Sequence, residues 1–256
     1  MKNIFFAALL CAGMSGLPAL SQDVVVLGEI HDNPHHHAVQ AARVAELAPK
    51  AIVFEMLTAD QASRVTPALR DDPAALEKAL QWQDSGWPDF DMYYPIFTAS
   101  DARIYGAAVP REAAHRTMSE GLETAFGDDS ARFGLDQSLP RPEQSAREAL
   151  QAEAHCDALP ENMLAPMVDI QRLRDATLAR VVLEALDETG GPVAVITGNG
   201  HARRDWGAPA ILARAAPGLD MHVLGQTEDD APLLGVFDEV VSSPRHERPD
   251  PCLAFQ

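Results

Sequence analysis

Basic residues are scarce in this chain. Twenty Lys and Arg side chains stand against 38 Asp and Glu side chains, and the formal net charge at pH 7 is −18. A nucleic-acid-binding protein needs a basic surface to neutralise phosphates, so the composition argues against a nucleic-acid partner. The same acidic surface disfavours docking on anionic membranes.

Long hydrophobic runs are also missing. The apolar run at residues 4–10 is far shorter than the roughly 20 residues that a membrane-spanning helix needs. Lys2 precedes this run and the small-x-small sequence Ala19-Leu20-Ser21 follows it, which predicts a signal peptide over residues 1–21 and an exported, periplasmic protein. Cys11 could be the lipidation site of an anchored lipoprotein. Ala8-Leu9-Leu10 before it matches a lipidation signal poorly, so anchoring is the less favoured expectation.

Cysteine is rare as well, with three in the chain. Cys11 falls in the predicted signal peptide, which leaves Cys156 and Cys252 in the mature protein. An exported compartment permits a disulfide between them, but the sequence leaves their pairing open. His155 directly precedes Cys156, and adjacent side chains point apart, which disfavours a catalytic Cys–His pair.

What the chain does contain is an α/β pattern. Short apolar runs predict buried parallel strands at residues 24–27, 51–54, 193–196 and 221–224, with further candidates at 103–109 and near 234–237. Asn33 and Pro34 are typical of a helix start and predict a helix over residues 34–47. The resulting strand–helix–strand unit implies a right-handed parallel crossover. The predicted fold class is therefore α/β, a parallel β-sheet flanked by helices.

The chain is long enough for one large domain with a small insertion. Residues 111–165 are polar and helical in pattern, and we expect them to form a small helical insertion domain over the carboxyl edge of the sheet. Residues 22–110 and 166–256 are then the α/β core domain. A long helix is predicted from residue 167 to about residue 188, ended by Gly190-Gly191-Pro192.

Two similar motifs follow two different strands, Gly28-x-x-His31 and Gly198-x-x-His201. Because parallel strands end at the same edge of a sheet, these imidazoles should converge with Glu29 and Glu55, which also follow strands. One interpretation is a site for a divalent metal such as zinc or manganese, with His31, Glu55 and His201 as ligands. The other is general-base catalysis by Glu29, His31, Glu55 and His201, in which a water is oriented for attack.

Two further segments allow both a structural and a functional interpretation. Residues 82–97 collect six aromatic side chains, which could pack into the core or form a wall over a large flat ligand. The long helix carries Gln171, Arg172, Arg174 and Asp175, which form either a solvated charged face or a polar border to the site. Arginine there could bind ligand carboxylates.

Together these motifs resemble the ChaN-like haem-binding uptake family, which belongs to a wider group with the Tiki metalloproteases and the erythromycin esterases. The resemblance covers residues 23 to about 225. It is carried by Gly28-Glu29-Ile30-His31-Asp32, His36-His37-x-x-Gln40, Phe54-Glu55-Met56, His155-Cys156, Met167-Val168-x-x-Gln171-Arg172-x-Arg174-Asp175-Ala176 and Gly198-Asn199-Gly200-His201.

The resemblance implies an exported protein that binds haem in haem or iron uptake, as a homodimer with the cofactor between subunits. An outer-membrane haem transport system would be its partner. No Cys-x-x-Cys-His motif is present, so attachment would be non-covalent. Haem needs an axial ligand and cations for its propionates. The residues expected to contact it are Tyr93, Tyr94, Arg111, His155, Gln171, Arg172, Arg174 and Asp175, with the Gly-x-x-His histidines as further ligand candidates.

The hydrolytic relatives imply an alternative. In them the positions of the paired Gly-x-x-His loops serve a metal or a general base, which would make this chain a metal-dependent hydrolase of esters or peptides. His31 would be the base, supported by Glu29, Glu55 and His201. Whether the chain is an enzyme is left open at this point.

Overall fold

A computed structural model describes residues 22–255, and the predicted signal peptide at residues 1–21 lies outside them. A six-stranded sheet forms the centre of the fold, and all its strand pairs are parallel. Its strands are β1 (Val24–Glu29), β2 (Ala51–Phe54), β3 (Arg103–Gly106), β4 (Val193–Gly198), β5 (Met221–Glu228) and β6 (Glu239–Ser243). The spatial order is β3-β2-β4-β1-β5-β6.

Eleven α-helices surround this sheet in the described residues. They are α1 (Pro34–Leu47), α2 (Ala59–Ser63), α3 (Pro67–Arg70), α4 (Pro73–Leu80), α5 (Phe90–Thr98), α6 (Arg111–Glu120), α7 (Leu122–Phe126), α8 (Arg141–Ala154), α9 (Glu161–Thr189), α10 (Asn199–Ala202) and α11 (Ala208–Ala215). Two 3-10 helices lie at Trp82–Asp84 and Pro251–Phe255. None of the helices between residues 22 and 255 combines the length and the apolar character needed to cross a membrane.

The strands are apolar without alternation because helices cover both faces of the sheet. Val24 and Val26 point into a core that α7, α9 and α11 complete. Val25 and Leu27, on the opposite face, pack with side chains of α1, α4 and α5. The predicted fold class is therefore confirmed.

The position of β4 in the sheet brings the polar residues at the carboxyl ends of the strands together. β4 lies between β2 and β1, with Gly198 paired to Glu29 and Ile196 paired to Phe54. Glu55 follows directly on β2, so Glu29 and Glu55 flank the end of β4. Open α/β sheets bind ligands at such carboxyl ends, where the direction of chain winding changes.

Several predicted boundaries differ from the observed ones. The last strand is Glu239–Ser243, not residues 234–237, because Leu233 and Phe237 pack against Gly225 from a connecting loop and do not pair with a strand. The long helix begins at Glu161 and contains Pro166, so it runs across the predicted domain boundary at residues 165 and 166.

Cys156 and Cys252 form a disulfide, with 5.6 Å between their Cα atoms. The bond joins the C-terminal tail to the connection between α8 and α9. A second link holds the same tail, since Arg248 forms ion pairs with Asp32 and Glu228.

Candidate functional site

Glu29 lies at the carboxyl end of β1 and is fully buried. Its Oε1 accepts a hydrogen bond from the Tyr93 hydroxyl at 2.6 Å and lies 2.7 Å from His31 Nδ1. Its Oε2 accepts a hydrogen bond from Gln40 Nε2 at 2.7 Å and lies 3.3 Å from His37 Nδ1. Burial alone would raise the pKa of Glu29, but the hydrogen bonds with His31 and His37 lower the pKa to about 2. Glu29 is therefore a fixed anion.

His31 extends from the loop after β1 with its Nδ1 held by Glu29. Its ring packs against Trp87, with 4.8 Å between the ring centroids. A Cβ atom at Gly198 would lie 2.8 Å from His31 Nε2, so a residue without a side chain is needed where the two Gly-x-x-His loops meet. Burial lowers the pKa of His31, but Glu29 and Glu55 outweigh it, and the net direction is upward.

The second loop places His201 between two carboxylates. Its Nδ1 lies 2.6 Å from Asp175 Oδ1, and its Nε2 lies 3.6 Å from Glu55 Oε1. Burial opposes protonation, but Glu55 and Asp175 raise the pKa of His201 to about 9.

Glu55 is held from two sides. Its Oε2 accepts hydrogen bonds from Thr197 Oγ1 at 2.6 Å and from the Gly198 backbone N–H at 2.8 Å. Burial raises its pKa, but His201 and His31 together turn the shift downward. The site is thus a row of alternating acids and imidazoles, in the order Glu29, His31, Glu55, His201, Asp175.

A cavity of 730 Å³ opens above this row, within the usual size range of small-molecule sites. One of its walls comes from α6, through Arg111, Ala114, His115 and Met118. Another comes from α9, through Met163, Met167, Ile170, Gln171, Arg174 and Leu178. On each helix these residues recur at three- and four-residue intervals, so each set forms one continuous stripe.

The cavity contains two arginines without an acidic partner. Among the described residues, neither Arg111 nor Arg174 forms an ion pair, whereas Arg172 and Arg203 each pair with an aspartate. Acidic residues outnumber basic ones by 38 to 20. Two unpaired arginines at one cavity are able to bind the carboxylates of an anionic ligand.

The structure brings together most of the predicted site residues. Glu55, His31 and His201 line the cavity with Arg111, Gln171 and Arg174, while Glu29 and Asp175 lie directly behind the two histidines. Within residues 22–255, however, no group of three or more His, Cys, Asp or Glu side chains is arranged to hold a metal ion. In this arrangement the predicted zinc or manganese ligands contact other side chains: His31 contacts Glu29, and His201 contacts Glu55 and Asp175.

Four other predicted residues are placed away from the cavity. The Tyr93 hydroxyl donates to Glu29, and the Tyr94 hydroxyl donates to the Arg70 backbone carbonyl at 2.7 Å. Arg172 donates to the backbone carbonyls of Gly134 and Gln137. His155 Nδ1 lies 2.8 Å from the Gln151 carbonyl oxygen, beside the disulfide. Of the aromatic side chains in residues 82–97, Trp87 is a cavity wall, while Trp82, Phe90, Tyr93 and Phe97 are buried in the core.

Sequence reasoning missed His115 and the methionines Met118, Met163 and Met167. A usable signal was present, because His115 and Met118 lie four and seven residues after Arg111, which was a candidate already. This spacing was not recognised as a cavity-facing stripe because residues 111–165 are polar overall.

The family model described as haem-binding uptake, Tiki superfamily, ChaN matches residues 18–212. The chain belongs to this family. No match is found among the curated proteins.

Several solved structures match this chain. The structure titled "Cofacial heme binding to ChaN of Campylobacter jejuni" has 19% sequence identity and a TM-score of 0.60, over 83% of this chain and 84% of that one. The type III effector HopBA1 has 11% identity and a TM-score of 0.47, over 87% and 88% of the two chains. An erythromycin esterase, EreC, has 13% identity and a TM-score of 0.42, over 82% and 71%. At 19% identity, the similarity between this ChaN-family chain and Campylobacter jejuni ChaN is a similarity of fold.

Proposed function

We propose that this protein binds haem non-covalently in the 730 Å³ cavity, in the uptake or handling of haem or iron. The observation that carries the proposal is the pair of unpaired arginines, Arg111 and Arg174, on two helices that form walls of the cavity. Haem is a flat apolar ring with two propionate carboxylates, and each arginine could bind one of them. Membership of a haem-binding uptake family supports the same ligand.

The cavity walls suit the porphyrin ring. Met118, Met163 and Met167 have flexible, polarisable thioethers that adapt to a flat aromatic surface, and Trp87 adds a rigid one. Bound haem would supply an iron centre that takes its axial ligand from the protein. The chain's contribution is to shield the ring, to neutralise the propionates and to provide that ligand.

We also propose that the protein is exported. The predicted signal peptide at residues 1–21 and the Cys156–Cys252 disulfide support this, because disulfides persist in oxidising compartments. The Campylobacter jejuni relative binds haem cofacially, which supports a homodimer here with two haems facing each other between subunits. An outer-membrane haem transport system would be the source or the acceptor of the haem.

The test is a haem titration of residues 22–256, followed by absorption spectroscopy and by light scattering for the dimer. We expect a saturable Soret shift. Replacing Arg111 or Arg174 by Ala should weaken binding about tenfold each, because each variant loses one charge-assisted contact to a propionate.

Arg116→Ala is the matched control, because Arg116 lies on the same helix as Arg111 but is outside the cavity lining. Its haem affinity should equal that of the wild type. Haem association without saturation, or equal weakening in the control, would overturn the proposal.

Hydrolysis is the second candidate function, and the contact between Glu29 and His31 favours it. A carboxylate 2.7 Å from Nδ1 orients the imidazole as in a general base, and His31 reaches the cavity with a third of its side chain exposed. If this is the activity, His31→Ala should abolish turnover of an ester or peptide while His155→Ala, outside the cavity, should leave it intact. Turnover that survives in His31→Ala, or absent from the wild type across such substrates, would exclude this candidate.

A further inference from the structure

We propose that His115 is an axial ligand of the haem iron. The inference rests on the proposed haem-binding function and assigns the iron to one side chain. Its support comes from the position of His115 on α6, from its lack of other partners, and from the engagement of the competing ligands.

His115 lies in the middle of the cavity-facing stripe of α6. Arg111 and Ala114 precede it on the stripe, and Met118 follows one turn later. His115 follows Arg111 by four positions, which correspond to about 6 Å along the helix axis. The helix therefore offers, in order, a cation for a propionate, an imidazole for the iron, and a thioether for the ring.

The imidazole of His115 is free to coordinate. Among the described residues, no side chain or backbone group forms a hydrogen bond or ion pair with it, and the residue is solvent-exposed at the cavity. A ligand that enters the cavity could reach its ring nitrogens without breaking an existing contact.

The other two histidines of the cavity are already engaged. His31 Nδ1 is bound to Glu29, and its ring lies beside Gly198, where an added Cβ atom would be 2.8 Å from Nε2. His201 Nδ1 is bound to Asp175, and its Nε2 faces Glu55. Either nitrogen of His201 would have to give up a contact with a carboxylate to coordinate iron, and His31 is less exposed than His115.

The tyrosines and cysteines are excluded by their positions. Tyr93, Tyr94 and Tyr105 donate their hydroxyls to Glu29, to the Arg70 carbonyl and to Glu188, and none of the three lines the cavity. Cys156 and Cys252 are joined in the disulfide, which leaves no thiolate among the described residues. A nitrogen ligand from His115 on α6 could bind the iron without breaking any existing hydrogen bond.

The experiment is electron paramagnetic resonance of ferric haem bound to residues 22–256, in protein labelled with ¹⁵N-histidine. We expect the wild type to show hyperfine coupling to a histidine nitrogen. His115→Ala should lose that coupling, shift its Soret band, and bind haem about tenfold more weakly.

Two variants serve as controls. Met118→Ala, on the same stripe, and His155→Ala, outside the cavity, should both keep the nitrogen coupling. Thermal melting checks that His115→Ala is folded, which its exposed position leads us to expect.

The outcomes separate the two proposals. Nitrogen coupling that persists in His115→Ala assigns the iron to another histidine and overturns the inference, while haem binding itself stands. Wild-type protein that binds haem without any histidine coupling overturns it too. Failure of the wild type to bind haem at all would overturn the proposed function together with the inference.

Discussion

Three acids lie buried or nearly buried under the cavity, and each has an imidazole beside it. An unpaired buried carboxylate is costly, but Glu29 and Asp175 each have a histidine nitrogen within 2.7 Å, and Glu55 lies between the two rings. Each acid of the row thus has an imidazole partner, although burial still raises the pKa of Asp175 above its usual value.

His201 gives a direct test of this pairing. Its pKa is raised from 6.5 to about 9, so the folded protein should keep this imidazole protonated at neutral pH. Because the folded pKa exceeds the unfolded one, the stabilisation from His201 is complete below about pH 6.5 and is lost as the pH rises through 9. Asp175→Asn removes one of the two anions and should lower the pKa of His201 by roughly 1–3 pH units. NMR titration of the imidazole resonances measures both values.

Asp169→Asn is the matched control for that titration. Asp169 lies on the same helix, pairs with Arg172 and is not in the cavity lining. The pKa of His201 should be the same in this variant as in the wild type. A wild-type His201 that titrates near 6.5 would show that the two carboxylates do not hold the proton.

The strands were predictable because their local pattern is strong. The apolar runs at residues 24–27, 51–54 and 193–196 contain many β-branched residues, and they end at Gly28, Glu55 and Thr197. Their spatial order was not predictable. No local feature of residues 193–198 indicates that β4 inserts between β2 and β1, yet this insertion is what places Glu55 next to His201.

The same limit explains why the predicted tyrosine ligands are not in the cavity. Tyr93 and Tyr94 are adjacent on α5 and point about 100° apart, so at most one could face any given site. The partner of Tyr93 is Glu29, which is 64 residues away in sequence. Contacts of this kind are decided by how α1, α5 and β1 pack, and sequence spacing does not encode that packing.

The helices α6 and α9 illustrate the opposite case. Their cavity stripes follow from spacing alone, since residues 111, 114, 115 and 118 share one face of a helix and so do 163, 167, 170, 171 and 174. What the sequence lacked was a reason to prefer that face to the others. The face became recognisable once the strand ends and both helices were placed around one cavity.

At the level of the complete chain, the C-terminal tail is fastened at two points. Cys252 is bonded to Cys156, and Arg248 bonds Asp32 in the loop that carries His31. The tail thus links the loop after β1 to the connection between α8 and α9. A cross-link of this kind stabilises a protein mainly by restricting its unfolded chain.

We therefore expect Cys252→Ser to lower the free energy of unfolding by about 2–4 kcal/mol, given the sequence separation of 96 between the two cysteines. Denaturant unfolding of the apoprotein measures the change. Cys156→Ser should have the same effect, the double variant should lose no more than either single one, and a reductant should lower the stability of the wild type alone. Equal stability of the wild type with and without reductant would contradict the bond.

Loss of the disulfide should lower the stability of the protein without changing its haem affinity. Neither cysteine lines the cavity, and the two helical stripes that wall it belong to α6 and α9. At a temperature where Cys252→Ser is fully folded, its haem affinity should therefore match that of the wild type, although its unfolding midpoint is lower. If Cys252→Ser lost haem affinity as well as stability, the tail would be holding the loop of His31 in place through the Arg248–Asp32 ion pair. The disulfide would then transmit its effect to the site through this ion pair.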